Sequence, residues 1–316
     1  MGELFGLLKE GNKPSLLAAF VNTFIAFLKL GAFFLTGNVA MFAEMMHSFG
    51  DAANQFFVFI GSALSKKAPT ERFPKGFGRL VNLVCLGAVI IVGILSYETI
   101  KEGINHLRHP VESTGFLISL GVLGIAVILE LFVLFKAGKE ILHEVGISAS
   151  GVNPLTKSFA HLNRAKPATK LVFMEDLVAT SGGLLAMIAV IISHYSGLGQ
   201  VEGLASIIIG LMMFYVVGRV FLENARGAIG ETDDIMRGNI ADIVLADSSI
   251  KDIQRLDVIK EGEHLHVEVE IEVDPTLTIA EADDIKDRLE HLIYTQKGVT
   301  SVVIEFDEDN QIREWT

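Results

Sequence analysis

The chain has 316 residues and a formal net charge of −12, yet half of it is hydrophobic and its mean hydropathy is +0.46. That hydropathy excludes an ordinary soluble domain, and the acidity excludes a partner whose phosphates demand Lys and Arg. The one cysteine, Cys85, permits no intramolecular disulfide and belongs to no CxxC or Cys/His finger spacing.

Six apolar runs, at residues 15–36, 39–64, 80–103, 115–137, 170–194 and 201–224, are each long enough to cross a bilayer, which takes about 20 helical residues. The reading is a polytopic α-helical membrane protein, with residues 1–230 forming a six-helix membrane domain. The N-terminus lacks a basic n-region followed by a small-residue cleavage site, so no signal peptide is expected. Lys and Arg concentrate in residues 66–79 and 136–170 and are absent from the turns near 37 and 195–200. Positive loops stay in the cytoplasm, which puts both termini inside, and a bacterial inner membrane is the expected location.

The first run ends at Thr36-Gly37-Asn38, a turn so short that the first two helices must be antiparallel neighbours. The second run carries Glu44, His47 and Asp51 on one face, because residues three and four apart align on a helix. An ion at membrane depth costs about 2.5–3.5 kcal/mol on insertion scales, so such groups are expected to face a partner, a bound ion or a water path. Imidazole with carboxylates suits zinc and its first-row neighbours. In the fifth run Glu175 and Asp176 open an apolar span and can face His47 and Asp51 as further ligands, with Thr180 one turn on. Two purely structural readings compete: His47 and the second-run acids satisfy one another or a buried partner such as Lys29, and Glu175 and Asp176 are boundary charges. Glu130, alone in the fourth run, is expected either to pair with Lys29 or to belong to a proton path.

Between the second and third runs, Pro69, Pro74, Gly76 and Gly78 predict irregular chain, and Arg79 is expected to meet an acid of Glu231, Asp233 and Asp234 or to snorkel at the interface. Residues 148–169 are expected to form a mobile cytoplasmic loop with room for a short helical piece.

After residue 230 the chain turns polar, and residues 231–316 hold 23 Asp and Glu against 8 Lys and Arg. A helix at 233–246, a strand at 250–259, a strand at 264–273, a helix at 279–295 and a strand at 300–307 give an αββαβ domain with a three-stranded sheet. In the second strand Leu265, Val267, Val269, Ile271 and Val273 alternate with His or Glu, which predicts one core face and one wet face. His266, Glu268, Asp283, Glu305 and Asp307 are candidates for a cytoplasmic metal site, against the plain reading of an exposed strand face.

The stretch Thr36-Gly-Asn-Val-Ala-Met-Phe-Ala-Glu44-Met-Met-His47-Ser-Phe-Gly-Asp51 resembles the second-helix signature of the cation diffusion facilitators. Phe77-Gly78-Arg79, the His106-Leu-Arg-His109-Pro110 ending and the αββαβ tail support the resemblance. It implies six helices with a cytoplasmic ferredoxin-like domain, and proton-coupled export of divalent metal by alternating access of a homodimer. Zinc comes first as cargo, then manganese, iron, cobalt or nickel; no prosthetic group and no enzymatic chemistry are implied. By the same resemblance His47 and Asp51 form one ligand pair and Asp176 half of the second. The position four residues before Asp176 holds Val172, which cannot bind metal. Glu175 or Glu44 completes the shell, or the site is three-coordinate plus water, or metal selectivity is altered. Ligands must shed protons to hold a cation, so metal and protons compete. The alternative is a non-transporting metal-sensing or scaffolding membrane dimer.

Overall fold

The computed structural model describes residues 2–111, 113–147, 153–162, 167–262 and 264–315. In chain order the helices are α1 (Gly2–Glu10), α2 (Lys13–Thr36), α3 (Val39–Ser65), α4 (Leu80–Arg108), α5 (Phe116–Glu144), α6 (Asn153–His161), α7 (Pro167–Ser196), α8 (Gln200–Ile229) and α9 (Asp234–Leu245). Strands β1 (Ile250–Glu261) and β2 (His264–Val273), helix α10 (Ile279–Tyr294) and strand β3 (Val299–Glu308) complete the chain. Contacts divide it into two compact units, one of Asn12–Phe59 with Val84–Glu223 and one of Met1–Gly11, Ile60–Leu83 and Asn224–Thr316.

The first unit is the helical one. Helices α2, α4, α5, α7 and α8 are long and apolar enough to span a bilayer by length and composition. Helix α3 is the sixth span. Its 27 residues reach about 40 Å, and its hydropathy is lowered by Glu44, His47, Asp51 and Asn54. It tolerates them because it is central: Ala40, Met41, Ala43 and Glu44 are fully buried. The outer helices invert the soluble pattern. Helix α2 buries Ala19, Ala26, Lys29, Ala32 and Thr36, while Phe20, Phe24, Phe27 and Phe34 are exposed, as a lipid-facing helix requires.

Asn12 caps α2 by accepting from the Ser15 amide, and Gly37, in the left-handed region at φ 66°, ends it by donating to Phe33 O. Asn38 then caps α3 through the Met41 amide, so the two helices reverse over two residues. Helix α6, in the long loop where a short helical piece was expected, packs its Leu155 with Phe173 of α7 and Leu134 and Ile141 of α5. Helices α4 and α8 approach through glycines. A Cβ on Gly203 would lie 2.8 Å from Gly103 O, and one on Gly210 would lie 2.6 Å from the Ile100 side chain. Ser206 Oγ bonds Thr99 O across the same seam.

Lys29 ties three helices together. Its ammonium, with no exposure, lies 2.9 Å from Glu44 Oε2 of α3 and 3.4 Å from Glu130 Oε1 of α5. The pairing expected of Glu130 and the structural partner proposed for the second-run acids are therefore one network.

In the second unit the sheet order is β1-β2-β3, with β1 antiparallel and β3 parallel to β2. Asp233 caps α9, and Thr278 with Glu281 forms a reciprocal capping box on α10. Ile285, Leu289 and Ile293 of α10 join Ile240 and Val244 of α9 over Val267, Val269 and Ile271 of β2, which form the core. The second face of β2 departs from the expected wet face. His266 is 7% exposed and Glu272 only 1%, while Glu268 and Glu270 between them are half-buried. Arg79 also departs from expectation: it reaches Glu261 at 3.3 Å and the carbonyl of Ile229, while Glu231 meets Arg226 and Asp233 meets Lys260.

Two outcomes follow. Gly203→Val should wedge α4 from α8 and cost roughly 1–3 kcal/mol, seen as a lower melting temperature in detergent; an unchanged melting curve would contradict the glycine seam. Lys29→Met leaves two carboxylates unpaired inside the bundle, and the loss, about 3–5 kcal/mol, should be recovered in part when Glu44→Gln is added.

Candidate metal site

The α3 face places His47 and Asp51 one turn apart, with His47 Nε2 3.5 Å from Asp51 Oδ2. At that separation the imidazole nitrogen is buried without a hydrogen-bond partner. Across from it, α7 brings Asp176 and Glu175. Asp176 interacts electrostatically with Asp51 and His47, and Glu175 with Asp51 and Asp176, so the four groups share one region of the bundle. Asp51 and Glu175 also line a common cavity of about 30 Å³, enclosed by Val89 and Val92 of α4 and Val216 and Val217 of α8. That volume holds roughly one water molecule.

Three buried polar atoms of these two helices, besides one of Glu44, lack a hydrogen-bond partner: His47 Nε2, Asp176 Oδ2 and Thr180 Oγ1. Each unpaired buried polar atom costs about 1–3 kcal/mol, so a cation that accepts their lone pairs recovers a penalty already built into the bundle. The donors are a nitrogen and carboxylate and hydroxyl oxygens, a set suited to a borderline divalent ion. Among the described residues no three His, Cys, Asp or Glu side chains converge closely enough to hold a metal ion.

Glu44 lies on the same helix but is engaged elsewhere. Its Oε2 bonds Lys29. Its Oε1 is unpaired and faces α7 at Gly182, where a Cβ would lie 2.8 Å from that oxygen. Glu130 Oε2 meets the adjacent Gly183 in the same way, at 3.1 Å. The glycine pair thus makes room for two carboxylates where larger residues would displace them. Val172 is 49% exposed, so its side chain contributes nothing to the interior.

Two further polar residues went unnoticed in the sequence. Asn54, three residues after Asp51 and hence on the same face, lines the cavity with it. Glu202, at the start of the last apolar run, is fully buried and accepts a 2.8 Å bond from Ser113 Oγ. Helical spacing from Asp51 was the available signal for the first; an isolated acid near a helix start gave only a weak one for the second.

The cytoplasmic candidates are less gathered. His266 Nε2 lies 2.8 Å from Glu268 Oε1, and Glu268 also meets Lys75 at 3.4 Å. The hydrogen bond to His266, with help from Lys75, holds the Glu268 carboxyl below its ordinary range. Glu305 stands beside Glu270 in the sheet register and Asp307 beside Glu272, while Asp283 is exposed on α10.

Comparison with known proteins assigns both halves of the chain to known domains. The cation efflux transmembrane domain matches residues 15–227, and the cation efflux protein cytoplasmic domain matches residues 232–309. A mitochondrial proton-coupled zinc antiporter of Xenopus laevis is 25% identical over 253 residues, covering 78% of this chain and 44% of that protein. The chain thus spans less than half the length of that relative. A cadmium, cobalt and zinc/H(+)-K(+) antiporter of Bacillus subtilis is 24% identical, with 94% and 90% of the two chains covered. Zinc transporter ZitB of Escherichia coli is 20% identical, with 95% and 88% covered. With both domains matched over most of its length, the chain belongs to the cation efflux family.

Proposed function

We propose that this protein exports a divalent metal cation across a membrane in exchange for protons, with zinc as the first candidate and manganese, iron, cobalt and nickel behind it. One observation carries the reading: His47, Asp51, Asp176 and Glu175 share one region inside an apolar bundle, and His47 Nε2 and Asp176 Oδ2 are buried there with no hydrogen-bond partner. Relatives named as zinc or cadmium, cobalt and zinc antiporters supply the cargo class.

His47 and Asp51 bind from α3 and Asp176 from α7, with Glu175 taking the place that Val172 cannot fill. Glu44 is committed to Lys29 and acts one step removed, by holding α3 in register with α2 and α5. Transport follows from competition for the same lone pairs. A neutral imidazole and ionised carboxylates bind metal, and protonation of those atoms on the far side expels it. Metal moves one way as protons move the other because the two occupancies exclude each other. The transport domain spans residues 1–230 and a cytoplasmic domain residues 231–316, the unit is a homodimer, and both termini face the cytoplasm, in a bacterial inner membrane.

The test is metal flux in proteoliposomes under an imposed proton gradient, screening zinc, manganese, ferrous iron, cobalt and nickel. Flux of one ion should collapse with a protonophore and fall in Asp51→Asn by more than the roughly 10–100-fold that loss of an outer-shell group costs. Unaltered flux in Asp51→Asn removes the assigned site. A second reading rests on Val172 and on the unconverged donors: a metal-sensing membrane dimer, recognised by metal binding without flux for any ion.

A further inference from the structure

The chain that joins α3 to α4 is fastened to the β1–β2 turn. Thr70 and Phe73 exchange backbone hydrogen bonds at 3.1 and 3.0 Å, and the Phe73 and Phe77 rings stand 5.0 Å apart. Gly78 approaches Glu261 and Gly262 so closely that neither glycine has room for a Cβ. Residues 60–83 and the tail domain lie within one compact unit, and two adjoining cavities open between them.

The larger cavity, about 470 Å³, is polar and basic. Lys66, Lys67 and Lys75 line it, with His264 and the hydroxyl residues Thr300 and Ser301. The acid on its wall, Glu261, is met by Arg79 at 3.3 Å, and His266 is held by Glu268 at 2.8 Å. Lys75 also meets Glu268 at 3.4 Å, but that pair is well exposed and such pairs are weak. Lys66 donates to the carbonyl of Glu10, a contact that leaves its charge and two further donors in place. The cavity therefore keeps a positive balance.

The smaller cavity, about 310 Å³, shares Lys75, Phe77 and Glu261 with the first and is lined by Phe73, Phe77, Leu80 and Leu83. Leu80 and Leu83 open α4, a helix long and apolar enough to span a bilayer, and Phe73 and Leu83 are 47% and 54% exposed. Both volumes fall in the range of about 300–1,000 Å³ typical of small-molecule sites. A ligand that fills both is anionic at one end and apolar at the other. Free phosphate suits the basic cavity alone. An anionic phospholipid suits both, and the start of a spanning helix is the level at which its headgroup gives way to its chains.

We propose that this pair of cavities binds one anionic phospholipid per chain, with the phosphate among Lys66, Lys67 and Lys75 and the start of an acyl chain against Phe73, Phe77, Leu80 and Leu83. Because the walls come from the α3–α4 connection and from the sheet, the bound lipid ties the two together.

The test is native mass spectrometry of the full-length protein in detergent, titrated with dioleoylphosphatidylglycerol and separately with dioleoylphosphatidylcholine. One phosphatidylglycerol per chain should bind at least about tenfold more tightly than phosphatidylcholine, a comparison that requires no variant to fold. Lys66→Gln combined with Lys67→Gln should weaken that first lipid by roughly 20–30-fold. Lys136→Gln combined with Lys139→Gln removes the same charge from exposed positions of α5 outside the pocket and should change it by less than about twofold. Inorganic phosphate and glycerophosphoglycerol, the headgroup without chains, should fail to displace the lipid at millimolar concentration. Equal affinity for the two lipids, or equal weakening by the two pairs of substitutions, overturns the proposal by reducing it to general surface charge. Displacement by inorganic phosphate or by the chain-free headgroup overturns it by making the occupant a soluble anion.

Discussion

Everything in the membrane unit turns on the cost of holding ionisable side chains away from water. The bundle meets that cost in two different ways on the same helix. Lys29, Glu44 and Glu130 satisfy one another within 3.4 Å, and two glycines of α7 leave space for the carboxylates. One turn along α3, His47 and Asp51 face Asp176 and Glu175 with buried atoms left unpaired. In the first group each carboxylate has the Lys29 ammonium as counter-charge, with one oxygen of Glu44 and one of Glu130 left over, and the group fastens α2, α3 and α5. The second is incomplete, and incompleteness at membrane depth is what a passing cation or proton can relieve. The two are not electrically independent, since Glu130 interacts with His47 and Asp51 as well as with Lys29. A change of charge at the open group is therefore felt by the network that joins the helices.

Much of this was legible in the sequence, for definite reasons. Apolar runs of bilayer length are the strongest signal a chain carries, and period-two alternation in β2 marked the clearest element of the αββαβ tail. Helical spacing alone put His47 and Asp51 on one face. Spacing could not say which acid goes to which partner, because that depends on how separate helices meet. Glu44 matched the metal face by periodicity and was met by Lys29 from another helix. Arg79 found Glu261 rather than the acids at 231–234 because β1 is long enough to bring its last residue to the loop. Glu272 was read as one of several wet glutamates, and its burial depends on Asp307 across the register and on chain beyond β3.

The tail domain shows the same economy at an aqueous boundary. Its core is ordinary, built from α9, α10 and the inner face of the sheet, and it leaves one carboxylate enclosed among others of its own charge.

The division between satisfied and unsatisfied charge is the central claim, and it is tested most directly by zinc titration calorimetry of the purified protein in buffers of different ionisation enthalpy. Glu44→Gln should still bind zinc and release protons as the unaltered protein does, while Asp176→Asn should lose both affinity and proton release. Loss of binding in Glu44→Gln with binding intact in Asp176→Asn would contradict the account, by showing that the lysine-paired carboxylate is the ligand.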